Sequence, residues 1–64
     1  PTAHNTQETI RHYLRLGNAF HEEGNYNKAI EMFNEVLNRE PNNEDALEGI
    51  EKARQARELI DGLL

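Results

Sequence analysis

Arg11, Arg15 and Asn18 stand at i, i+4 and i+7, a spacing that lines side chains along one helix face. Two guanidinium groups and a carboxamide can together grip a carboxylate by charge-assisted, partly bidentate hydrogen bonds. Glu22 falls in the same stripe, within about 60° on a helical wheel, and Leu14 and His21 border it. The plainer alternative is a solvated face on which the two arginines pair with Glu8 and Glu22. Exposed pairs of that kind contribute about 0.2–1 kcal/mol.

Other chemistry finds less support. His12 and His21 are separated by about 180° around a helix, so they cannot share an ion, and His4 stands apart from both. There is no cysteine, so no thiolate metal site and no disulfide is available. The carboxylates lack a His, Ser or Lys partner at catalytic spacing, and a chain this short offers little room for a substrate pocket. The expectation is a non-enzyme with no catalytic residues, no metal and no cofactor.

Composition narrows the partner class. Seven Lys and Arg against twelve Asp and Glu give a formal charge of −5 over 64 residues. An acidic chain without a basic cluster suits neither a phosphate backbone nor an anionic membrane surface. No apolar run reaches the roughly 18–20 residues that span a bilayer, and no charged-then-apolar leader is present. The absence of cysteine fits a reducing compartment, the cytoplasm being favoured. The chain opens at Pro1 without a methionine, so it reads as an excised piece with room for flanking segments.

Three helices must position these residues. The first is expected over about Thr6 to Glu23, with residues 1–5 as a frayed lead-in and Asn5 or Thr6 as its cap. Its apolar arc is Ile10, Tyr13, Leu16, Gly17 and Phe20. Gly24 supplies a left-handed terminator, and Asn25 caps a second helix over 26–39. Tyr26, Ala29, Ile30, Met32, Phe33, Val36 and Leu37 fall on one side of it. The two-residue link makes the pair antiparallel neighbours. Gly17 costs about 1 kcal/mol in a helix interior, so it needs a packing reason, expected at Ala29. Pro41 then breaks the chain, Asn42 or Asn43 caps, and a third helix is expected over 43–61 with Gly62 beyond its end. Ala46, Ile50, Ala53 and Ile60 form its inner face.

The ordered set Tyr13-x2-Leu16-Gly17-x2-Phe20, Ala29-x3-Phe33 and Pro41 resembles one tetratricopeptide repeat, whose pattern runs over about 34 residues. Tyr13 and Phe20 are aromatic-for-aromatic changes, and Val36 stands where the family usually has Ala. The third helix departs from a second repeat: Leu47 and Ile50 fit its opening, but Glu51 and Arg54 fall where the family has Gly and an aromatic ring. It reads as a capping helix over the open face of a lone repeat. The implied fold is all-α, an antiparallel helix-turn-helix hairpin plus cap, the unit of a right-handed solenoid.

The resemblance implies a protein-interaction module with Arg11, Leu14, Arg15, Asn18, His21 and Glu22 facing a partner segment. Asp45, Glu48 and Lys52 would face them from the third helix. In the family, Arg, Lys and Asn on this face hold acidic C-terminal tails, so an acidic tail is one implied partner. A mixed-charge peptide is another. Family members assemble such clamps from three repeats, and Leu14 replaces a basic residue of the set. The competing reading is a structural unit that self-associates into dimers or larger assemblies through Leu59, Leu63 and Leu64, the first two of which project away from the third helix's inner arc. A plain three-helix bundle would instead close as a triangle.

Overall fold

Helices α1 (Thr2–Glu22), α2 (Tyr26–Arg39) and α3 (Glu44–Leu63) follow one another through two short turns. The computed structural model describes the backbone of residues 2–63 and the side chains of residues 6–63. Pro1 of the expected lead-in and Leu64 of the expected self-association set lie outside the described residues.

α1 ends where the sequence asks it to. Gly24 takes φ +83°, the left-handed region that costs glycine nothing. Its N–H donates to His21 O at 3.0 Å while the Asn25 N–H donates to Phe20 O at 2.9 Å. Those two bonds reverse the chain and satisfy carbonyls left open at the helix end. Asn25 then caps α2, its side-chain oxygen accepting from the Lys28 N–H at 3.4 Å. Of the two candidate caps for α3, Asn43 serves: its Oδ1 accepts from the Ala46 N–H at 2.9 Å. Its Nδ2 donates to Glu40 Oε1 at 2.9 Å.

Two boundaries differ from expectation. α1 starts at Thr2 rather than Thr6, which puts Asn5 inside the helix instead of at its cap. Residues 2–5 carry no breaker, and extending an existing helix adds one hydrogen bond per residue fixed without needing a buried side chain. α3 runs through Gly62 to Leu63. A glycine stops a helix by going left-handed, and among the described residues only Gly24 does so.

α2 is the central element. Ala29, Phe33 and Val36 are at most 1% exposed. α1 covers them from one side with Ile10, and α3 from the other with Ala46, Ile50 and Ala53. Tyr13, Leu14, Phe20, Tyr26, Ile30 and Leu37 pack around this core half-buried. α1 and α3 each lie along α2 but touch one another only sparsely. The chain is therefore an open hairpin with a cover helix, not a closed triangle. Ile60, expected on the inner face, is 45% exposed. By that point α3 has passed the start of α2, where the Arg57 guanidinium donates to Asn27 Oδ1 at 2.9 Å.

Gly17 has a packing reason, and the side chain nearest to it is Phe33's. A Cβ built there would sit 2.6 Å from Phe33 Cε1, and the three nearest atoms all belong to that ring. Gly49 on α3 meets the same ring, its Cβ position lying 2.5 Å from Phe33 Cζ. One aromatic side chain thus occupies the space left by two glycines on different helices. Ala29, the expected partner, is fully buried beside it.

The end opposite the Gly24 turn is tied by polar groups. Gln7 Nε2 donates to Glu40 Oε2 at 3.0 Å, linking α1 to the α2–α3 turn. The Asn43 bond first, and the Gln7 bond second, hold the Glu40 carboxyl below its ordinary pKa by favouring the charged form. Arg39 donates to Glu35 O at 2.8 Å and lies 5.2 Å over the Tyr13 ring. Asn43→Ala is expected to cost about 1–2 kcal/mol through the lost cap, whereas Asn42→Ala stays within about 0.5 kcal/mol. Urea midpoints of the two variants, measured side by side, check which asparagine caps α3.

Candidate functional site

Where α1 and α3 stand apart, a groove runs between them over α2. One part of it has a volume of about 320 Å³ and is lined by Asn18, His21, Glu22, Phe33, Gly49 and Lys52. A second depression of about 180 Å³ continues it past Leu14, Asn18, Asp45, Glu48, Gly49 and Lys52. Asn18, Gly49 and Lys52 belong to both, so the two form one channel.

The walls follow from helix periodicity. Leu14, Asn18, His21 and Glu22 recur at spacings of four, three and one, on the side of α1 that adjoins its Ile10 face. Asp45, Glu48, Gly49 and Lys52 repeat the arrangement on α3. The floor exists because of the glycines: without side chains at 17 and 49, the Phe33 ring reaches up between the helices. His21 packs edge-on against Tyr26, with ring centroids 5.2 Å apart, which anchors that end of the α1 wall.

Electrostatically the lining is acidic. Glu22, Asp45 and Glu48 contribute three carboxylates and Lys52 the single amine. Lys52 Nζ lies 3.7 Å from Glu48 Oε1, with both side chains more than half exposed, so water screens the pair. Among the described residues, no three His, Asp or Glu side chains gather where they could hold a metal ion.

Most of the residues singled out from the sequence therefore meet in one place: Leu14, Asn18, His21, Glu22, Asp45, Glu48 and Lys52. Arg11 and Arg15 do not line the channel. Both are exposed on α1, and among the described residues neither forms an ion pair with Glu22. Only Asn18 of the carboxylate-gripping trio belongs to the lining. Leu59 and Leu63 stand well exposed at the far end of α3. Sequence reading missed Gly49 and the floor role of Phe33. The available signal was the series Ala46, Gly49, Ala53, small residues at i, i+3 and i+7 that let another helix's side chain approach closely.

The family model for the tetratricopeptide repeat matches residues 10–43, more than half of the chain. The repeat so matched comprises α1 from Ile10 onward, α2 and the turn that follows, with α3 as the cover helix. The chain belongs to the tetratricopeptide repeat family, and the family supports a protein-interaction or scaffold role. No curated protein and no solved structure matches the chain.

Proposed function

We propose that the channel between α1 and α3 binds a segment of a partner protein, and that this segment carries mixed charge with its basic groups in the channel. One observation carries the reading: three carboxylates from two helices converge over an aromatic floor. A lysine or arginine stem would lie against Leu14, Gly49 and Phe33 while its head reaches Glu22, Asp45 or Glu48. Acidic groups of the same segment would meet Arg11 and Arg15 on the outer flank of α1. An acidic C-terminal tail has less to hold it, because those two arginines stand outside the lining.

A single repeat offers little surface, so binding is expected between about micromolar and millimolar Kd. The test is a titration with three short peptides of equal length, one basic, one acidic and one mixed. The mixed peptide is expected to bind most tightly. Asp45→Lys combined with Glu48→Lys should weaken it by at least about tenfold, worth about 1.4 kcal/mol. Arg11→Glu combined with Arg15→Glu should weaken only peptides that contain acidic residues. Tightest binding by the acidic peptide, lost with the arginine pair, would replace this reading with a carboxylate grip.

A further inference from the structure

Past Lys52, α3 keeps the face it turns to the channel but loses the wall opposite. Ala56, Leu59 and Leu63 follow Lys52 at i+4, i+7 and i+11, all within about 40° of it around the helix. α1 ends at Glu22, whose side chain meets the channel beside Lys52. Nothing among the described residues covers the α3 face beyond: Leu59 is 72% exposed and Leu63 87%. One continuous stripe thus changes character midway. It is charged from Asp45 to Lys52 and apolar from Ala56 to Leu63.

Resting on the channel reading above, we infer that the bound segment is an amphipathic helix that runs the length of α3, basic at one end and apolar at the other. Its basic end lies over Asp45, Glu48 and Glu22. Its apolar end packs on Ala56, Leu59 and Leu63, whose spacing offers a seam for leucines at i, i+3 and i+7 of a facing helix. Direction follows from the helix dipole, since cations stabilise a helix C-terminus. The segment therefore carries its basic residues C-terminally and lies antiparallel to α3.

A second copy of this chain is the weaker occupant on two counts. A pair of α3 ends would meet over a strip about 12 Å long and about 10 Å wide, against the roughly 800 Å² per partner of a stable interface. Each copy also carries a formal charge of −5, with the acidic half of α3 adjoining the strip. A basic and apolar partner satisfies both halves of the stripe at once.

The experiment uses two designed peptides. The short one is basic only, about seven residues, matched to the channel; the long one adds an N-terminal helical half with leucines at i, i+3 and i+7. Binding to the intact chain is read by fluorescence anisotropy, and helix gained on mixing by circular dichroism. The long peptide is expected to bind at least about tenfold tighter than the short one and to gain helix. Leu59→Glu with Leu63→Glu changes two exposed positions and is expected to erase that difference, leaving the short peptide's Kd unchanged. Equal affinity of the two peptides, or no effect of the double variant, would overturn the inference while leaving the channel reading intact. Failure of the short peptide to bind, together with indifference to Glu48→Lys, would instead remove the channel reading and this inference with it. Concentration-dependent dimerisation abolished by the same leucine variant would assign the stripe to a second copy and overturn the proposal.

Discussion

Phe33→Ala is expected to leave the chain largely unfolded at 25 °C, with helical circular dichroism collapsed in the absence of denaturant. Truncating a buried phenylalanine costs about 3–5 kcal/mol through lost transfer energy and the cavity left behind. A core in a chain of this length supplies roughly 3–5 kcal/mol in total, so the loss equals the whole stability. Collapse around the gap offers little relief, because Phe33 is 1% exposed and its ring tip is what α1 and α3 both rest against. Met32→Ala serves as the control: Met32 neighbours Phe33 in α2 but is only half-buried. A Phe33→Ala chain that keeps native helicity and a cooperative thermal transition would show that the ring is not the keystone.

Gly17→Ala and Gly49→Ala are expected to destabilise despite alanine's helix preference. Alanine gains about 1 kcal/mol over glycine in a helix interior. Its Cβ at residue 17 would lie 2.6 Å from the Phe33 ring, and at residue 49 2.5 Å from it. No real side chain tolerates such contacts, and the ring cannot retreat from one glycine without pressing on the rest of a closed core. Overpacking of this kind costs about 1–3 kcal/mol, so after alanine's gain the net loss is up to about 2 kcal/mol for each single change. The diagnostic is the pair with Phe33→Leu: a shorter side chain removes the clash, so Gly49→Ala should become neutral or stabilising in that background. A double-mutant cycle by urea titration measures the coupling. Additive effects would mean that the glycines serve some purpose other than the ring.

The hairpin was legible because its signals are local. Gly24 and Asn25 act through their own backbone and nearest neighbours, and the apolar face of α2 repeats with helical period, so each could be read without knowing the rest of the chain. The α1 wall of the channel was legible for the same reason. The long-range packing was not. That Gly17 faces Phe33 depends on where α3 settles and on how far α2 is rotated, which neither helix's own pattern specifies. Gly49 owes its role to a ring across the fold, which its own helix's pattern does not specify. Arg11 and Arg15 share a stripe with Asn18, yet the offset of α3 along α1 leaves them outside the lining. The start of α1 escaped notice because residues 2–5 carry no apolar period, and a helix already under way does not need one to continue.

The side chain that forms the floor of the channel is also the most occluded ring of the core. In larger proteins a ligand rests on one layer while another, deeper layer keeps the fold; here the two layers are the same atoms. A guest seated there, as proposed, would be linked to folding, because it would select the native ensemble over the unfolded one by mass action. Supplying or withdrawing the proposed guest would then shift the population of folded chain.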